Sequence, residues 1–269
     1  MPTLPISRRS LLQRSAHTLA AWGLLTPLLS ACMKTGLIKP GLHQGAGGIT
    51  ANGKPLKQGE PIPAGALLET DLGTEAVVVI GKDALLLRAD TRLLLDAPLS
   101  HRQNTSLSAK SQPELPPEGE PELPPEGEPE LPPEGEPTDL LGITGFDLQS
   151  GGVLSVFATG PRLLRTPQAH IAIRGTGIYL ELEPKRTYAC TCYGEADLMP
   201  LGNPEMQKRV KTRHHDDPRY IDMKGDNMMV KAPVVNHTDA ELIMLEALVL
   251  RKPPFLDRFG KIISGTSSY

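Results

Sequence analysis

Cys190 and Cys192 stand two residues apart in Tyr188-Ala189-Cys190-Thr191-Cys192-Tyr193-Gly194, a stretch of strand-forming residues. In extended chain, residues i and i+2 share a face, so both sulfurs project the same way and Thr191 projects opposite. Downstream, His214 and His215 in Arg213-His214-His215-Asp216-Asp217 and His237 in Asn236-His237-Thr238 supply imidazoles. Two thiolates and two imidazoles fill a tetrahedral zinc site, and the same donors suit iron or copper. His215 and His237 are the preferred partners of the sulfurs. His214 is a further candidate, but adjacent residues of an extended chain point apart, so His214 and His215 need not meet one ion.

Other readings of these residues stay open. A disulfide between Cys190 and Cys192 closes a very small, strained ring, and buried thiols with surface histidines need no ligand. The spacing matches neither a standard zinc finger nor Cys-x-x-Cys-His haem attachment. Asp216 or Asp217 could orient a histidine or act as a base beside metal-bound water, although carboxylates beside turns commonly cap them. No ordered nucleophile, base and oxyanion site is visible, so a non-enzymatic protein is expected. The alternatives are a redox or metal-handling protein using the cysteine pair, and a metal-dependent enzyme. His170 reads as a packing or surface residue of a strand, His17 leaves with an export signal, and His43 and His101 fall in segments read as flexible.

The elements that must position this group read as all-β, with a small C-terminal extension (201–269). Short runs rich in Val, Leu and Ile at 76–80, 85–88 and 92–95 predict strands, as do 145–148, 152–158, 162–166, 169–174, 177–182 and 188–193. Asn52-Gly53 is a hairpin signal, since both residue types tolerate positive φ. Weaker strands are expected near 219–223 and 228–231. One helix is expected over 239–250, with a Thr238/Glu241 capping box, an apolar face of Leu242, Leu245, Leu248 and Val249, and Pro253-Pro254 beyond it.

Between the two groups of strands, Pro-Glu-Leu-Pro-Pro-Glu-Gly-Glu occurs three times without change over 113–136. One leucine per unit builds no core, and the carboxylates repel one another, so 97–142 reads as a disordered acidic loop inserted into one sheet system.

At the N-terminus, Ser7-Arg8-Arg9-Ser10-Leu11-Leu12, a broken apolar run and Leu29-Ser30-Ala31-Cys32 form a twin-arginine signal over 1–31 that ends in a lipobox. Cys32 is then the lipidated first residue of a protein on the periplasmic side of a bacterial membrane, followed by a flexible tether over 32–47. The net charge of the whole sequence is −3, and the nine glutamates of the repeat leave the remainder slightly basic. With few aromatics, that balance gives no case for nucleic acid. The partners expected are the membrane, through the lipid, and an envelope protein or small-molecule ligand.

Asn52-Gly53 with Gly59 and Gly65, Leu67-Leu68-Glu69-Thr70, and Leu85-Leu86-Leu87 with Ala89-Asp90-Thr91-Arg92 form a familiar series. With Arg165-Thr166-Pro167-Gln168-Ala169 running into Ile173-Arg174-Gly175-Thr176-Gly177-Ile178, it resembles the FecR-type periplasmic domain. The likeness covers 48–200 apart from the insert. It implies an all-β domain, found both in transmembrane regulators that act on sigma factors and as a ligand- or partner-binding module. The sequence offers no cytoplasmic helical segment or spanning helix of such a regulator, so the binding-module role is expected.

Overall fold

The structure, a computed structural model, is described for residues 37–96, 142–225 and 227–263. The lipobox, the export signal and the acidic repeat lie outside these residues. Before the insert come β1 (Gly41–Gln44), β2 (Ile49–Ala51), β3 (Lys54–Pro55), β4 (Leu67–Thr70), β5 (Ala76–Ile80), β6 (Asp83–Leu87) and β7 (Arg92–Leu95). After it come β8 (Gly145–Ser150), β9 (Gly152–Val156), β10 (Pro161–Arg165), β11 (Ala169–Arg174), β12 (Gly177–Leu182) and the long β13 (Arg186–Pro200). Strands β14 (Lys208–Thr212), β15 (Arg219–Asp222) and β16 (Met229–Lys231), a 3-10 turn (Pro204–Met206) and one α-helix, α1 (Asp239–Leu248), complete the described elements. Among the described residues the fold is therefore mostly β, with one α-helix in its C-terminal part. No described helix is long and apolar enough to cross a membrane.

Strand β13 organises the sheet. Its first half pairs with β12 and β15, and its second half with β11 and β14. One half of the sheet runs β1-β5-β6-β9-β12-β13-β15-β16, and the other runs from β14 and β13 through β11, β10, β8, β7, β4 and β2 to β3. All described pairings are antiparallel except β8 with β10. The Arg174-Gly175-Thr176-Gly177 segment is the corner at which the chain passes from β11 in one half to β12 in the other. Gly175 has φ +59 there, and a Cβ on Gly177 would meet the Tyr193 ring at 2.4 Å. The corner thus needs left-handed backbone and a bare α-carbon.

The alternation of side chains separates two cores. Val78, Leu85, Ile178, Leu180 and Ala189 turn inward, where they meet Ile49, Leu68, Leu93, Phe146 and Ile171 from the other half. Their sequence neighbours Val77, Val79, Leu86, Leu154, Tyr179, Cys190 and Cys192 turn outward into a second core, covered by Leu242 and Leu245 of α1 and by Phe255. One half-sheet is thus buried on both faces, which explains its almost continuous Val/Leu runs. The insert joins β7 to β8, antiparallel neighbours with Leu95 opposite Phe146. Asp83 ties the returning chain down by accepting hydrogen bonds from the Ile143 amide (2.9 Å) and the Ala158 amide (2.8 Å).

Two sequence expectations need correction, the extents of the tether and of the helix. The tether is shorter than 32–47, because Gly41–Gln44 forms β1 on β5 with Leu42 buried, and His43 lies in that strand. Residues 201–269 extend the same sheet, with β14 and β15 adding directly to the two halves of β13. The helix ends at Leu248 rather than 250. Leu250 turns left-handed at φ +58, and the Leu250 and Arg251 amides bond back to the Ala247 and Glu246 carbonyls (3.1 and 2.8 Å), so the stop precedes the prolines.

Candidate metal centre

Strand geometry delivers the sulfurs. Cys190 and Cys192 lie on the outward face of β13, on the side shared with Tyr188, and both are fully buried in the second core. They are not bonded to each other. The imidazoles arrive from two connections. After β14 the chain turns back, with Thr212 Oγ1 donating to the Thr191 carbonyl at 2.8 Å and the His215 amide donating to the Cys192 carbonyl at 2.8 Å. His215 itself takes φ +55, a conformation uncommon for residues other than glycine and asparagine. From the other side, His237 sits one residue before the Thr238 cap of α1, after Asn236 at φ +59.

The result is one cluster. Cys190 Sγ, Cys192 Sγ and a ring nitrogen from each of His215 and His237 all lie within 4.8 Å of one another. Cys190 Sγ is 3.3 Å from His215 Nδ1, and His215 Nδ1 is 3.0 Å from His237 Nε2. Tetrahedral zinc with bonds of about 2.3 Å to sulfur and 2.0–2.1 Å to nitrogen separates its ligand atoms by roughly 3.3–3.8 Å, so the sulfur–nitrogen separation of 3.3 Å matches that spacing and the nitrogen–nitrogen separation of 3.0 Å is slightly shorter. Solvent exposure is 0 % for both cysteines, 3 % for His215 and 7 % for His237. Those values mark a buried set of four donors, of which His237 also borders a cleft lined by Arg88, Tyr179 and Glu241.

The surroundings orient the rings. His237 Nδ1 donates to the Val235 carbonyl at 2.7 Å, which leaves Nε2 as the bare donor toward the sulfurs. Its ring stacks on Tyr179 at 4.7 Å between centroids. The other nitrogen of His215, Nε2, faces Asp239 Oδ1 at 3.3 Å, and the same oxygen lies 2.7 Å from His214 Nε2. His214 therefore stands beside the cluster rather than in it, held between Asp239 and the Phe255 ring at 4.5 Å. Asp239, on the first turn of α1, is the residue missed by sequence reasoning. It met the rule that acids favour helix N-termini, so nothing marked it as a histidine partner.

Asp216 and Asp217 have structural partners instead. Asp216 Oδ2 accepts from the Arg213 amide at 2.9 Å, while Asp217 pairs with Arg219 and, at 3.1 Å, with Lys208. Neither stands as a base beside the cluster. His170 is on β11, opposite Met199 of β13 and away from the site.

The two thiols separate electrostatically. Burial pushes Cys190 up, but hydrogen bonds from Cys192, His215 and His237 outweigh it and hold this thiol well below the ordinary range. Burial and the neighbouring Cys190 charge push Cys192 well above that range. Of the two, Cys190 is the thiol whose ionised form the surroundings favour, and a divalent cation would favour loss of the proton from both.

No protein-family model matches the chain, and no curated protein does. Two crystal structures of a protein described as a candidate anti-sigma factor from Parabacteroides distasonis ATCC 8503 are similar over 62 % of this chain, each with 11 % identity and a TM-score of 0.37. The match spans 58 % of that protein's chain, less than two thirds of its length. A likeness at that level assigns neither family nor activity.

Asp239 gives the site its sharpest local prediction. Asp239→Asn keeps the shape and the helix start but removes the charge that faces the Nε2 atoms of His214 and His215. Loss of such an outer partner lowers metal affinity by roughly 10–100-fold. Competition with a chromophoric chelator measures that change. An unchanged affinity in a folded variant assigns Asp239 to capping alone.

Proposed function

We propose that this chain is a non-enzymatic envelope lipoprotein, a FecR-like β module for binding a ligand or partner, whose C-terminal segment is clamped onto the sheet by a metal ion. The four buried donors within 4.8 Å carry the metal reading. Zinc fits best, because a closed S₂N₂ tetrahedron suits an ion with no redox role. A bound ion would supply cross-linking. Through it, β13, the 213–216 turn and the start of α1 would become one rigid unit. A structural role is favoured over an enzymatic one because four protein donors complete a tetrahedral zinc shell, whereas catalytic zinc sites use three and an exchangeable position.

The envelope part rests on the sequence. The paired arginines and the Leu29-Ser30-Ala31-Cys32 ending support export and a lipid on Cys32. The FecR-like reading rests on the sequence resemblance, carried chiefly by Arg165–Ala169 and Ile173–Ile178.

Elemental analysis of the purified chain, with a free-thiol count, is the test. One equivalent of zinc is expected, lost on acidification as protons compete for sulfur and nitrogen. Iron or copper at one equivalent would keep the clamp and change the ion. An absence of metal, with Cys190 and Cys192 oxidised to each other, overturns the reading in favour of a redox pair.

A further inference from the structure

Beyond the helix the chain forms a small projecting hairpin. Its root is Phe255, 1 % exposed and packed on His214 and Tyr193. Leu256 bridges Ile262, the Asp257 amide bonds the Lys261 carbonyl at 2.8 Å, and the Ile263 amide bonds the Phe255 carbonyl at 2.9 Å. The tip is fixed from within, since Asp257 Oδ1 accepts from the Phe259 amide (2.8 Å) and the Lys261 amide (2.9 Å) while Gly260 turns at φ +79. Everything from Arg258 to Ile263 is exposed. Phe259 is 72 % exposed, with Ile262 at 47 % and Ile263 at 45 %. Arg258 lies over the Phe259 ring at 4.6 Å.

An ordered turn that holds an aromatic ring and two isoleucines in water needs an explanation other than packing, because loop tips are ordinarily small and polar. We infer that the 258–263 tip docks on an anionic lipid surface, with Phe259 and Ile262 entering the apolar boundary while Arg258 and Lys261 meet the headgroups. Charge selects the surface, since the 258–263 tip carries two exposed cations, Arg258 and Lys261, and no acid, while the flanking Asp257 is half-buried and turned to the tip's own amides. Size selects lipid over protein. Six residues at a turn fall far short of the roughly 800 Å² per partner of a stable protein interface, whereas a fluid boundary accepts a small wedge without matching its shape. Docking of this kind is weak alone and adds to a second anchor. It does not depend on the metal reading.

The test places an indole at the tip. Trp22 is the sole tryptophan of the sequence, so the full chain carrying Trp22→Phe and Phe259→Trp reports on residue 259 alone. It is titrated with vesicles of phosphatidylcholine, and separately of phosphatidylcholine mixed with phosphatidylglycerol. The expected result is a blue shift of the emission that saturates at about tenfold less lipid on the anionic vesicles. Adding Arg258→Glu and Lys261→Glu should abolish that preference, and Ile262→Ser should weaken the shift, with metal content equal in all variants. If the chain sediments with vesicles through its N-terminal segment while the indole emission stays unchanged, the tip does not dock and the inference fails. A shift that follows protein concentration without lipid assigns the tip to a second copy of the chain and equally overturns it.

Discussion

Replacing Cys190 and Cys192 together with alanine is expected to remove the metal equivalent and to loosen everything after β14, while the inner core between the two halves of the sheet persists. The donors join three segments far apart in the chain: β13, the turn at 213–216 and the start of α1. Metal binding by such a set is folding free energy, with apparent values on the order of 10–16 kcal/mol in isolated zinc-binding peptides. Here the second core and the helix cap share the work, so the effect falls short of that and still exceeds that of the lost side chains, about 1 kcal/mol per small cavity. Thermal unfolding with and without chelator separates the two. The untreated parent should melt well above the variant, the chelated parent should melt beside it, and chelator should leave the variant unmoved. Protease cleavage confined to the chain beyond residue 212 should appear in the same two samples. A variant that melts within a few degrees of the parent and keeps its metal would remove the clamp.

Most of the sheet could be read from residue order because each strand is short, rich in β-branched or leucine residues, and ended by glycine or proline. Those signals are local, and so is the capping box that opens α1. What escaped depends on distant partners. Lys208–Thr212 has only Val210 and Thr212 buried, so β14 reads as polar loop and becomes a strand because β13 runs on to Pro200. Gly41–Gln44 reads as tether because only one of its residues, Leu42, is an apolar anchor, and that anchor joins the inner core beside Val78 of β5.

The site divides in the same way. The period of two in a strand put both sulfurs on one face, and residue type alone nominated the histidines. The choice of His215 over His214 depends on a left-handed turn at residue 215 and on Asp239 holding the other nitrogen, neither of which spacing reveals. Glu246 was hidden as well. It sits four residues after Leu242, on the buried face of α1, where a periodic pattern expects an apolar side chain.

That glutamate carries the second large effect. Glu246 is 3 % exposed, accepts a hydrogen bond from the Tyr193 hydroxyl, and pairs with Arg251 Nε at 2.6 Å. Arg251 in turn donates to the Lys82 carbonyl at 2.6 Å, which links α1 to the start of β6. Burial, reinforced by the Glu246 charge, pushes the Tyr193 hydroxyl far above its ordinary range, which favours its protonated, donating form. Glu246→Ala leaves that hydroxyl and the guanidinium facing an apolar gap, and breaking a buried pair from one side costs about 3–5 kcal/mol. At roughly 2–4 °C per kcal/mol for a domain of this size, the melting temperature should fall by about 6–20 °C. Removing the polar groups together should be far milder, because replacing both partners by apolar side chains leaves nothing unsatisfied. Glu246→Leu with Tyr193→Phe and Arg251→Met is therefore expected to recover most of the loss. If the triple variant melts no higher than Glu246→Ala, unsatisfied polar groups are not the cause, and the carboxylate holds α1 against the sheet by another contact.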